Sequence, residues 1–256
     1  MSRETAEKLW NARASNTLIP QSYSDYPTTE ADAYEVQAQM IEVSGLGVIG
    51  WKIGATADAL LELLGVTQPF VGPLFERYVY SSGDEVPILE GHKLESEITI
   101  RLKSPLPYRE APYSRDEVAA AVAAILPSIE IVGARSEGEF AGAGFRLIAD
   151  GGVNVATILG NEITAWENIG LESSQISVTV NDKTVAVGST SALIWEHVFD
   201  ALIWATQQPY LKDRGLLAND LIMTGTCTGV TELSAGDTAL VDFGILGKVS
   251  ARFNRA

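Results

Sequence analysis

The sequence predicts an α+β protein: a strand-rich, mixed β-roll or sandwich body preceded by a small helical α/β part. Apolar residues at helical spacing dominate the chain as far as Leu64, and after Pro69 short apolar stretches parted by Gly, Pro and Asp take over. Only two further helical patterns interrupt those stretches. The change of character divides the chain into an N-terminal helical α/β region, residues 1–70, and a strand-rich catalytic region, residues 71–256. With 256 residues, 46% of them hydrophobic and 20% charged, the chain has the balance of a globular protein with a sizeable core.

The first helix is expected over Thr5–Arg13, anchored by Leu9 and Trp10, and a Ser-, Tyr- and Pro-rich loop follows from Asn16 to Pro27. Thr28 or Thr29 suits an N-cap, after which Ala33, Val36, Met40 and Val43 recur at helical spacing until Gly45 and Gly47. VIGWKI, Val48–Ile53, reads as a short strand, and Ala57–Leu64 as a helix closed by Gly65. Strands are then expected at Tyr78–Tyr80, Val86–Ile88, Glu95–Leu102, Ile129–Val132, Val155–Leu159, Ile176–Val180 and Thr184–Val187. Leu221–Thr224, Thr238–Asp242 and Lys248–Phe253 complete the series. Asn181–Asp182 marks a hairpin turn, and the two later helices fall at Arg115–Leu126 and near Glu196–Thr206.

The formal charge of −15 leaves no basic stripe, which excludes a nucleic-acid partner. Cys227 is the only cysteine, so neither an internal disulfide nor a thiolate metal cage can form. The opening MSRETAEKLW carries no apolar run of the signal-peptide type, and no segment approaches the roughly 20 apolar residues of a membrane span. The expected location is cytoplasmic, with no membrane partner.

The sharpest local feature is Glu95-Ser96-Glu97 in KLESEITIRL. On a strand both carboxylates point to one face, where they repel unless a positive group lies beside them. A solvated strand edge explains the same pattern. Glu130 stands alone between Ile129 and Ile131; facing an interior it would need a partner or a metal, and facing outward it needs neither. Three carboxylates in a chain with one Cys and two His describe an oxygen-rich site for a hard cation, Mg²⁺ or Mn²⁺. Lys52, on an apolar strand between glycines, is either partly buried with a lowered pKa suited to acid–base work, or a surface lysine. TGTCTG, residues 224–229, offers hydroxyls and amides for a carboxylate but lacks the Gly-Lys-Ser/Thr of a P-loop. Cys227 reads as a packing residue, and His197 as a helix-start or core histidine.

LWNARASNTLIP, GWKIG, LESEI, LPSIEIVGAR and AGDTALVDFGILGKVSARF, in that order over nearly the whole chain, resemble the fumarylacetoacetate hydrolase superfamily. The nearer likeness is to its 2-oxopent-4-enoate hydratase and 4-oxalocrotonate decarboxylase branch. The resemblance implies Glu95, Glu97 and Glu130 as metal ligands and Lys52 in proton transfer. It puts Arg135, Asp150 and Thr226 near the substrate. It also implies a homo-oligomer and a small 2-oxo acid substrate. The expected reaction is hydration of a 2-oxo- or 2-hydroxy-alkenoate through a metal-stabilised enolate. Decarboxylation of a 4-oxalocrotonate type and C–C hydrolysis of an acylpyruvate are the alternatives, with a non-catalytic binding protein behind them. Three departures bear on that choice. The hydratases' acidic residue in a Glu-Pro-Asp-Tyr-Gly-like segment is replaced, in Gln68-Pro69-Phe70-Val71-Gly72, by Phe70. Their Ala-Asp-Asn-Ala-Ser run reads Ala149-Asp150-Gly151-Gly152-Val153, and TGTCTG stands for an SGSLT-like turn.

Overall fold

A computed structural model describes residues 2–256. Helix α1 (Ser2–Ser15) packs against α2 (Glu30–Ser44), whose N-cap is Thr29, with its side chain accepting from the Asp32 amide. Strand β1 (Val48–Gly54) leads through α3 (Asp58–Leu64) to β2 (Phe70–Phe75). Three strands follow: β3 (Val79–Ser81), β4 (Glu85–Ile88) and the long β5 (Lys93–Leu102). Helix α4 (Arg115–Ala121) runs straight into β6 (Val122–Val132), and α5 (Gly144–Ala149) precedes β7 (Asn154–Leu159). The hairpin β8 (Gln175–Val180) and β9 (Lys183–Ser189) turns at Asn181–Asp182, both with positive φ, as a tight two-residue turn of right-twisted strands demands. After α6 (Val198–Thr206) come β10 (Leu221–Thr226), β11 (Thr231–Glu232), β12 (Thr238–Asp242) and β13 (Lys248–Arg255).

Two mixed sheets result. The larger has the order β2-β1-β10-β5-β6-β7-β3, with β11 on the N-terminal end of β5; the smaller runs β4-β13-β12-β8-β9. In the larger sheet β1 lies parallel to β10, and β3 parallel to β7, while the other pairs are antiparallel. Helices and sheets thus form the expected strand-rich α+β architecture. The composition change near residue 70 falls on the first residue of β2. β1, from before it, lies between β2 and β10, and one hydrophobic cluster joins Ala6 and Leu9 to Phe253.

Four elements differ from expectation, the two-residue β11 being one without any signal in the sequence. The helix predicted over 115–126 stops at Ala121, because Val122 to Leu126 pair with β5 and Pro127 disfavours helix in the residue before it. β2, FVGPLF, was not foreseen: it is buried throughout, so it lacks the alternation that marks a half-exposed strand. The short α5 carries too few turns for helical spacing to register. At α6 the reading of His197 holds: its Nδ1 accepts from the Phe199 amide, while Asp200 accepts from the His197 amide, a reciprocal cap.

β5 and β6 sit at the middle of the larger sheet, and Ile98, Ile100, Ile125 and Ile129 along them are fully buried. Ile129→Ala should therefore cost about 2–5 kcal/mol of unfolding free energy, read from the urea midpoint at unchanged slope.

Candidate active site and metal centre

Strand register assembles the site. Glu95 of β5 stands directly opposite Glu130 of β6, and Glu97, two residues on, faces Thr226 across the β5–β10 pair. Lys52 reaches the same place from β1, one strand beyond β10. One carboxylate oxygen from each of Glu95, Glu97 and Glu130 lies within 4.8 Å of the other two. Lys52 Nζ is 3.1 Å from Glu130 Oε2, both side chains buried. The other Glu130 oxygen accepts from Asn154 Nδ2 at 3.0 Å, and Glu97 Oε2 accepts from the Gly225 amide at 2.8 Å. Glu97 Oε1 is buried and has no hydrogen-bond partner. Three carboxylates against one ammonium leave two negative charges uncompensated when all are ionised. A buried, partnerless oxygen beside such a surplus fits a dication with oxygen ligands.

Electrostatics respond to that crowding. Burial, with the neighbouring carboxylates adding and Lys52 opposing, pushes Glu95 up to about 7 and Glu97 well above the ordinary carboxylate range. For Lys52, burial alone would lower the pKa, but the charges of Glu130, Glu95 and Glu97 outweigh it and hold the ammonium above its usual value. The expectation of a lowered lysine pKa is thereby reversed. A lysine loses its proton to burial only where it lacks carboxylate neighbours, and this one has three.

A cavity of about 240 Å³ opens onto the cluster, bounded by Lys52, Glu95, Thr56, Phe70 and Thr226 on the side of the carboxylates. Its outer part is apolar, walled by Leu60, Leu63, Phe140, Leu147 and Val230. Gly152 permits the Lys52 stem to pass, since a Cβ there would stand 3.0 Å from Lys52 Cδ on a backbone at φ +66°. Gly225 turns its amide toward Glu97 at φ +111°, and a Cβ there would strike Thr56 Oγ1 at 2.1 Å.

The structure brings Lys52, Glu95, Glu97, Glu130 and Thr226 together, but not Arg135 and Asp150. Asp150 accepts from the Arg135 amide at 2.7 Å and pairs with its guanidinium at 3.5 Å; neither residue lines this cavity. Their contact ties the β6–α5 loop to the turn before β7, which makes them buttresses behind the site. Thr226 lines the cavity with its hydroxyl donating to the Gly229 carbonyl at 3.1 Å. Cys227 is buried, and its thiol is held far above the usual range by burial and by Glu97, which rules out a thiolate nucleophile. Sequence reasoning missed Asn154 and the wall residue Leu63, while the amides it saw in TGTCTG turn out to hold a carboxylate of the chain itself, Glu97, through Gly225. Only the Gly-Gly turn ahead of Asn154 hinted at a backbone brought close to something.

Among the described residues no helix is long and apolar enough to cross a membrane. A carboxylate triad with an attendant lysine, Glu97, Glu130 and Lys52 buried and Glu95 partly so at a small cavity, defines an enzyme of the oxygen-ligated divalent-metal class. The family model for the fumarylacetoacetate (FAA) hydrolase C-terminal domain matches residues 68–254, and the chain belongs to that family. It is 29% identical to 4-oxalocrotonate decarboxylase of Pseudomonas putida, over 97% of this chain and 95% of that protein. It is 26% identical to 2-keto-4-pentenoate hydratase of Burkholderia vietnamiensis strain G4, over 97% and 95%. Among solved structures it matches 4-oxalocrotonate decarboxylase from Pseudomonas putida G7, complexed with magnesium and adipate. That match has a TM-score of 0.89 and 26% identity, over 98% of this chain and 97% of the other.

Raised carboxyl pKa values make folding pH-dependent. A carboxyl that keeps its proton when folded but loses it when unfolded stabilises the fold fully below about pH 4.5. That contribution fades as pH climbs toward about 7 for Glu95. In EDTA, the melting temperature should fall across this window, and Glu95→Gln should flatten the fall. An unaltered slope in that variant would contradict the assignment.

Proposed function

We propose that this chain is a divalent-metal-dependent hydro-lyase that adds water to a 2-oxo-alkenoate or its 2-hydroxy-dienoate tautomer. The observation that carries the proposal is the meeting of three carboxylate oxygens within 4.8 Å, beside a lysine 3.1 Å from one of the glutamates. Glu95, Glu97 and Glu130 would hold Mg²⁺ or Mn²⁺, the hard cations that suit an all-oxygen donor set. A dication there would polarise the substrate's 2-oxo group and stabilise the negative charge that gathers on it as the double bonds shift.

The rest falls to the chain's own residues. Lys52 moves a proton to or from a substrate carbon or the attacking water, with Glu130 holding Nζ in place. Thr226 and Thr56, at the cavity wall, supply hydroxyls toward the substrate's carboxylate end. Arg135 and Asp150 act at one remove, by fixing the loop that carries Gly133 against Val153. The apolar outer wall keeps bulk water from the conjugated chain, so that water enters at one end of it.

The same wall favours hydration over decarboxylation. A substrate with a second carboxylate at its distal end would find Lys93 as the one additional ammonium on the cavity wall, and Lys93 is already 2.7 Å from Glu232. A decarboxylase of 4-oxalocrotonate type remains the alternative reading, supported by the similarity to the Pseudomonas enzymes. We also assign the protein to the cytoplasm as a homo-oligomer, in keeping with its lone buried thiol and with the habit of the family it resembles.

Product analysis by NMR decides between the readings. With 2-hydroxypenta-2,4-dienoate and Mg²⁺ the expected product is 4-hydroxy-2-oxopentanoate; CO₂ released from 4-oxalocrotonate, or C–C cleavage of an acylpyruvate, would replace the proposal. By calorimetry, Glu97→Gln should weaken Mn²⁺ binding at least about tenfold, as loss of one charged ligand implies. Lys52→Met should lower kcat by about 10²-fold or more, the share of a general acid–base group, while the Mn²⁺ affinity stays within a few-fold. Full turnover by that variant would remove Lys52 from the chemistry.

A further inference from the structure

A second cavity, also about 240 Å³, lies on the other side of the β6–α5 loop from the carboxylate cluster. Gly133 lines the first cavity, while Ala134 and Arg135 line the second. In a chain of charge −15 its lining carries three guanidiniums, Arg13, Arg77 and Arg135, together with His92 and hydroxyls at Thr17, Tyr78 and Tyr80.

The two inner guanidiniums converge. Arg13 Nη1 donates to the Asn154 carbonyl at 2.6 Å and Nη2 to the Val155 carbonyl at 3.0 Å, while Arg135 Nη2 donates to the same Asn154 oxygen. Asp150 is the single carboxylate paired with either, at 3.5 Å from Arg135. Arg13 Nε is buried with no hydrogen-bond partner. Arg77 is exposed at the rim and forms no ion pair among the described residues. His92 is buried; its Nδ1 accepts from the Leu89 amide at 3.2 Å, which leaves Nε2 to carry the ring proton as a neutral donor. Two like charges, Arg135 buried and Arg13 partly buried, against one carboxylate carry an electrostatic cost that an incoming anion would relieve, and the His92 Nε2–H and the exposed Arg77 guanidinium supply donors for it.

We infer that this cavity is a binding site for a small oxyanion, a carboxylate or a phosphate, separate from the carboxylate cluster. The local electrostatics agree. Burial and then the charge of Arg135 bring Arg13 down to about 9, and burial with both arginines brings His92 down to about 4, as expected of a positive site without its counter-charge. Ala256 also lines the cavity. Asn154 stands between the two sites: its carbonyl takes both guanidiniums and its side chain donates to Glu130.

The inference does not depend on the reaction proposed above, because its test is binding. Inorganic phosphate and malonate are each titrated calorimetrically into the full chain, once with Mg²⁺ and once with EDTA. Saturable one-to-one binding of at least one of them under both conditions is expected, and the tighter of the two tells phosphate from carboxylate. Arg77→Ala, which breaks no ion pair, should weaken it about fivefold, and Arg13→Met should abolish it. Absence of saturable binding overturns the inference. So does binding that needs Mg²⁺, which would put the anion at the carboxylate cluster, or an affinity unchanged by Arg77→Ala. Arg77→Ala decides alone if Arg13→Met proves unfolded.

Discussion

Three glutamates meet inside a sheet with one lysine between them, and that uncompensated charge governs the rest of the molecule. Glu95 and Glu130 are directly opposed across β5 and β6, a placement in which like charges destabilise a strand pair. Such a pair survives because both strands are central, buried and long, so that the apolar contacts of Ile98, Ile100, Ile125 and Ile129 outweigh the local repulsion. Each carboxylate oxygen that finds a donor does so in a different element: Lys52 on β1, the Gly225 amide on β10, Asn154 on β7. The site is thus a demand made on five strands at once, and the sheet order β1-β10-β5-β6-β7 is the arrangement that meets it.

The chemistry follows from what is left over. An orphaned Glu97 oxygen and two surplus negative charges create an affinity for a dication, and the proton on Lys52 is retained because those same charges hold it. Lys52 and the cluster therefore form one electrostatic unit. Phe70 bears on the same point. It lines the cavity as a hydrocarbon wall, so on this face Lys52 and the glutamates have no further acid beside them.

Much of the fold was legible because its signals are local. Thr29, Gly45, Gly65 and Asn181–Asp182 mark caps and turns by conformational preference, and the structure has each in that role. Illegible were the elements whose character depends on neighbours. The helix drawn through Val122–Leu126 ignored the β5 ladder waiting for those residues, and β2 hid its strand nature by being buried on both faces. Arg135 and Asp150 appeared in the sequence as candidates for the substrate, but they lie against one another in the wall behind the cavity, the Asp150 carboxylate accepting from the Arg135 amide.

From the chain alone came the residue types and their spacings: an E-x-E pair, a lone glutamate in an apolar strand, a lysine between glycines, and too few Cys and His for a soft-metal cage. These determined that any metal centre would be built of oxygen. Only the tertiary structure decided that the three acids share one point, that Lys52 is charged, and that basic residues gather around a second cavity behind the first. The physical reason is range. Backbone preference acts within a few residues, whereas the charge felt by a buried side chain is set by partners that strand pairing brings from anywhere in the chain.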